Sequence, residues 1–169
     1  KQLLLNKDAS RFVTAGSGST DYIYAINIER ARQKESIDYG NWEIPLQNIT
    51  THTQNATGSV TVGSDRITLI DDSSIVPGGT TTESGVVYNI VSGSVDNGVH
   101  NAENPIYYGL FYPTHGVMIL DGKMLDQQLG FSTNLTASNA AGAEGNNHYL
   151  LFNSISGSSA AAGGNVGFE

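Results

Sequence analysis

A chain of 169 residues with a net charge of −8 and no cysteine is long enough for one domain with its own core, and it holds no disulfide, thiol nucleophile or zinc–thiolate site. The acidic balance disfavours a nucleic-acid partner, and no apolar run approaches the roughly 20 residues that span a bilayer. Charged residues make up only 14%, against roughly a quarter in an ordinary soluble domain. Polar uncharged residues take their place, a balance that suits extended strands and long loops better than a helix bundle.

In chain order, residues 1–20 read as an N-terminal segment or linker from a preceding region, with an apolar start at Leu3–Leu5 and the flexible run AGSGST at 15–20. Residues 21–156 read as a β-rich structural domain. Its first strand is predicted at 21–28, where Tyr22, Tyr24, Ile26 and Ile28 share one face and Ile23 and Ala25 the other. Apolar residues on both faces imply an interior strand. ERARQKES at 29–36 is the one strongly charged stretch, and its alternating Arg30, Arg32 and Lys34 form a local positive strip in an acidic chain. Trp42, Ile44 and Leu46 alternate as a strand that Pro45 pushes to a sheet edge.

The Thr-rich stretch 47–65 is predicted as a long excursion with a small hairpin at 60–62. Strands follow at 66–71 and 86–92, separated by a loop with a Pro-Gly-Gly turn. Asp96-Asn97-Gly98 marks a tight turn. A strand pair at 106–112 and 117–121 leads to a short helix at 123–129 capped by Gly130. A last strand is predicted at 149–155. Residues 157–169 are low-complexity Gly, Ser and Ala, expected to lead into a further C-terminal region. The fold class is therefore mainly β: an antiparallel sheet or sandwich-like domain with long loops and one or two short helices.

The chain carries little that signals catalysis. His52, His100, His115 and His148 have no partner at metal-ligand spacing and are read as solvated loop residues. Asp71-Asp72-Ser73 and Asp96-Asn97-Gly98 offer oxygen ligands of a calcium type, but turn chemistry explains them equally well. Glu43, Asp71, Asp72, Asp121 and Asp126 are the carboxylates that a glycoside hydrolase would pair; Asp72 and Asp121 follow apolar strands, where catalytic acids often sit and where any strand exits into water. No nucleophile elbow joins a strand to a helix. The expectation is no enzyme activity, no cofactor and no metal site. Two aromatic groups remain. Tyr24 and Trp42 read as core. Tyr107, Tyr108, Phe111 and Tyr112 fit either a core or an interface.

Several blocks, DYIYAINIERARQKESIDYGNWEIPL at 21–46, ITLIDDSS at 67–74, VVYNIVSGSVDNGV at 86–99, YYGLFYPTHGVMILD at 107–121 with KMLDQQLGF, and the closing GNVGFE, together resemble virion structural proteins of T4-like contractile-tailed phages, especially those of marine cyanobacteria. The resemblance covers most of the chain and is weakest at 47–65 and 132–148. It implies a structural role in the phage tail or baseplate, within the virion, with other virion proteins and copies of the same chain as partners. It transfers no catalytic motif. Arg30, Arg32, Lys34, Tyr107, Tyr108, Phe111 and Tyr112 are then the candidate interface residues. The alternative is a peripheral receptor- or glycan-binding module of a tail fibre or spike, and a third is a tail-associated glycan hydrolase.

Overall fold

The computed structural model describes residues 4–5, 11–16, 18–20, 22–29, 35–52, 60–131, 147–148, 150–151 and 154–155. Strand accounts for 44% and helix for 12%, so the fold is mainly β and antiparallel. The chain divides into two compact units, residues 1–43 with 68–125 and residues 44–67 with 126–169.

The first unit is built on a strand path that runs β3 (Ile23–Asn27), β10 (Val117–Asp121), β9 (Tyr107–Tyr112), β7 (Gly85–Ser94) and the end of β5 (Val60–Asp71). A two-stranded hairpin, β1 (Val13–Thr14) with β2 (Gly18–Ser19), precedes it. β6 (Thr80–Thr82) and β8 (Gly98–Val99) each add a short hairpin partner to β7.

The register assigns every side chain to a face. Tyr88, Phe111, Met118 and Ile26 stand in one row across β7, β9, β10 and β3, and Asn89, Leu110, Ile119 and Ala25 stand in the next. Successive residues alternate between faces, so these two rows belong to opposite sides of the sheet. One face is an aromatic core. Tyr88, Phe111, Met118 and Leu120 are buried there. Trp42 meets Phe111 edge-on at 5.1 Å, and Tyr39 stacks on Tyr88 at 4.8 Å. The other face gathers Val87, Tyr112 and Ile119, with Leu4, Phe12, Leu110 and Val117 packed against them.

The second unit holds β4 (Ile44–His52), which pairs with β5. Ile44, Leu46, Ile67, Leu129, Phe131, Leu150 and Leu151 are its buried apolar residues. Helix α1 (Gly122–Gln128) runs from the first unit into the second. It ends in the predicted glycine cap. Gly130 has φ +68°, Phe131 N–H donates to the Asp126 carbonyl at 2.7 Å, and Gly130 N–H to that of Gln127 at 3.4 Å. This double bond pattern satisfies the last carbonyls of the helix in the geometry that glycine favours.

Four expectations are corrected. The strand predicted at 21–28 exists, but it lies at the end of the described strand path. Ile23 and Ala25 are exposed while Tyr24 and Ile26 are half-buried, so apolar side chains on both faces did not mean an interior position. The excursion at 47–65 is largely strand: β4 reaches His52 and β5 starts at Val60, because threonine is β-branched and suits a pleated surface. The loop before β7 contains β6, a third Thr-rich strand. Finally, the stretch predicted as a strand at 149–155 is helical at its described residues 150–151 and 154–155, as are 147–148. Leu150, Leu151 and Ser154 are buried, which is helical spacing. A short apolar run does not by itself separate a buried helix from a buried strand.

Candidate functional site

The carboxylates singled out for chemistry each accept hydrogen bonds that fasten a loop. Asp71 (2% exposed) accepts from Gly40 N–H at 2.7 Å and Ser73 N–H at 3.1 Å. It thereby holds the turn that carries Tyr39 onto the aromatic face. Asp72 is fully buried. It accepts from the backbone N–H of Asn89 at 2.9 Å and from its Nδ2 at 2.7 Å, while its own N–H donates to the Asn89 carbonyl at 3.0 Å. Burial pushes the Asp72 carboxyl above the usual carboxylate range, and the bonds from Asn89 only partly oppose that.

Asp121 (1% exposed) accepts from the hydroxyls of Thr20 at 3.1 Å and Thr14 at 3.4 Å, and from Met124 N–H at 3.2 Å. The last bond makes it the N-cap of α1. The first two tie the β1–β2 hairpin to the end of β10. In the second unit, Asp126 accepts from Asn147 Nδ2 at 2.6 Å. Glu43 is exposed and accepts from Val95 N–H at 3.1 Å. Among the described residues no three His, Cys, Asp or Glu side chains come together as a metal-binding group.

The histidines are scattered. His100 and His148 are exposed, and His115 is half-buried with Nε2 at 2.9 Å from the Ser84 carbonyl. His52 lies in β4.

Among the described residues, the first unit has a groove of about 320 Å³ on the second face of the sheet. Val87, Leu110 and Tyr112 form its floor, and Leu4, Leu5, Phe12 and Val13 of the N-terminal segment form its sides. Arg11, Thr80, Thr82 and Asn89 supply polar atoms. The Tyr112 hydroxyl donates to the Leu4 carbonyl at 3.3 Å, which fixes the start of this segment over the sheet. A pocket of this size and lining accommodates a small apolar group or a side chain of a partner. Of its polar residues, Asn89 is held by two bonds to the Asp72 carboxylate.

Of the candidate interface residues, Tyr108, Phe111 and Tyr112 are 2%, 0% and 4% exposed; in this chain they fill the core. Tyr107 is half-buried. Arg30, Arg32 and Lys34 lie outside the described residues. Sequence reasoning missed Thr80, Thr82 and Leu110 as groove residues and Asn89 as the partner of Asp72. No local pattern marks these residues, since the groove is made by a segment that returns from about a hundred residues away. Asp121 did carry a signal, an acid directly before an amphipathic helix with a C-terminal glycine. Among the described residues no helix is long and apolar enough to cross a membrane. No protein-family model, no curated protein and no solved structure matches this chain.

Proposed function

We propose that the chain is a structural assembly subunit of a contractile-tailed phage virion, part of its tail or baseplate, associating with other virion proteins and with copies of itself. One observation carries this reading. The blocks that resemble such proteins fall on the framework of the fold: β3, the end of β5, the β7–β8 hairpin, the β9–β10 pair and α1. Residues shared for the sake of a framework are what an assembly subunit needs. The buried acids support the same reading, because Asp71, Asp72 and Asp121 spend their lone pairs on backbone and hydroxyl donors that hold loops in place. The reading assigns no catalytic step, cofactor or nucleic-acid contact to the chain.

Antibody labelling of intact particles viewed by electron microscopy tests it. The expected result is label in a regular array on the tail or baseplate. Particles that carry no copy of the chain would overturn the proposal.

A second reading is supported by Tyr39. Its ring stacks on Tyr88 and is 51% exposed, next to the hydrogen-bonded pair Asn41 and Asp38 at 2.6 Å. An exposed ring face beside polar side chains is how glycans are gripped. Under that reading Tyr39→Ala abolishes adsorption to host polysaccharide, whereas an assembly role leaves adsorption unchanged.

A further inference from the structure

We propose that Asn97 is a self-modifying position at which the side-chain amide is lost and an aspartate or isoaspartate is formed. The chain has one Asn-Gly pair, Asn97-Gly98, and one Asp-Gly pair, Asp121-Gly122. Both sequences permit the same chemistry: the backbone nitrogen of the glycine attacks the side-chain Cγ and closes a five-membered succinimide. At asparagine the Cγ–Nδ2 bond breaks and ammonia leaves with the proton from the glycine nitrogen; at aspartate a Cγ–O bond of the protonated carboxyl breaks and water leaves with that proton. Water then opens the ring at either carbonyl. Opening at one carbonyl gives aspartate. Opening at the other gives isoaspartate, in which the main chain runs through Cγ. Water is the one co-reactant, and nothing is oxidised or reduced.

The structure separates the two pairs. Asn97 is exposed in a three-residue loop, because Ser94 pairs with Gly98 and Gly93 with Val99. Gly98 takes φ +72°, the left-handed position that such loops give to glycine. Gly98 carries no side chain, so its nitrogen is not shielded by a Cβ, and a Cβ built there would meet one heavy atom within 4 Å, Ser74 Oγ at 3.8 Å. The Asn97 amide donates to Ser94 Oγ at 3.0 Å, and its backbone N–H to the same oxygen at 3.2 Å, which keeps the side chain folded back on its own loop.

At the other pair everything is closed. Asp121 is buried with its carboxylate engaged by Thr14, Thr20 and Met124. Cγ can turn onto the Gly122 nitrogen only by giving up these bonds, and the burial of the residue keeps water from it.

The product changes the hairpin. Aspartate adds a carboxylate next to Asp96, on the loop where the Glu43 carboxylate already receives Val95 N–H. Isoaspartate lengthens the main chain by one methylene, and the Ser94–Gly98 pairing no longer closes in register.

The test incubates the purified chain at mildly alkaline pH in heavy-oxygen water, native and in urea, followed by peptide mass spectrometry. In the native chain Asn97 is expected to convert, with one heavy oxygen, faster than every other asparagine, while Asp121 isomerises only in urea. Gly98→Ala slows conversion roughly tenfold, a barrier change of about 1.4 kcal/mol. Asn97→Gln, which must close a larger ring, leaves the position unmodified with the hairpin intact. Native Asn97 converting no faster than the other asparagines, or Asp121 isomerising as fast in the native chain as in urea, overturns the proposal.

Discussion

The two faces of the sheet in the first unit are closed by different means. On the aromatic face, Trp42 and Tyr39 reach the sheet from a short turn, and Asp71 locks that turn through Gly40. Tyr88, Phe111, Met118 and Leu120 are left with almost no exposure. On the opposite face the cover is the N-terminal segment. Its polar fastenings are the Thr14 and Thr20 hydroxyls on Asp121 and the Leu4 carbonyl on Tyr112, and a groove of about 320 Å³ remains beneath it. Large aromatics fill space that a strap of mostly small and aliphatic residues, with Phe12 as its one described aromatic, leaves open. The first face is optimised for packing, and the second keeps room for an additional group.

The largest test of this contrast is truncation. Phe111→Ala empties a closed core and is expected to cost about 3–5 kcal/mol. Leu110→Ala enlarges an existing groove around a half-buried side chain, and is expected to cost less than about 2 kcal/mol. Urea unfolding of both variants measures the difference, and equal losses would erase the distinction between the faces.

The strap comes next. Asp121→Asn weakens charge-assisted bonds from two hydroxyls and a backbone N–H, with an expected loss of about 1.5–3 kcal/mol. Hydrogen exchange locates it: protection falls in β1–β2 and the first turn of α1 but stays unchanged in β7 and β9. Uniform loss across the sheet would mean that the strap is not a separate closure.

Adding volume reverses the sign between faces. Val87→Ile places one methylene in the groove, expected to stabilise by about 0.8 kcal/mol. Ile90→Phe overpacks the closed face and is expected to cost about 1–3 kcal/mol. Thermal unfolding of the two variants reads both effects.

The smallest effect is that of pH on Asp72, behind the groove floor. Its folded pKa lies above the ordinary carboxylate value of 3.8 because burial disfavours the carboxylate. A carboxyl raised by folding binds its proton more tightly in the native state, so its ionised form weakens the fold at neutral pH. That penalty fades as pH falls from the raised value towards 3.8. Asp72→Asn removes it, provided the Asn89 amide turns to present its oxygen. The variant is expected to match or exceed the parent at pH 7 and to lose that advantage below 3.8. An advantage that grows on acidification would contradict the assignment.

Much of the framework was legible in the residues. β5, β7, β9 and β10 announce themselves by β-branched and aromatic enrichment between turn residues, and α1 by its inward Leu125 and Leu129 with Gly130 as cap. What escaped has physical causes. The run around Leu150 is apolar without a decisive period, so helix and strand look alike. The continuation of β4 beyond Leu46 and the strand β6 resemble loops by polarity while satisfying β geometry by branching. The position of β3 at the end of the strand path depends on its neighbours rather than on its own side chains. The groove depends on residues 4–15 meeting residues 80–112, and no local pattern encodes that meeting. Asp72 and Asp121 both follow apolar strands, and only the helix after Asp121 sets the two apart in the sequence; the donors of Asp72 are visible in the fold alone.

The bonds from Thr14 and Thr20 to Asp121 span 107 and 101 positions along the chain. Contacts so remote in sequence carry a large loop-closure entropy and slow the search for the native state. During synthesis the first hairpin emerges early, yet its acceptor emerges only with the end of β10. Leu4, Leu5 and Phe12 therefore wait in water while more than a hundred residues are added. In a chain of this design the β1–β2 hairpin can dock only after β10 has been made.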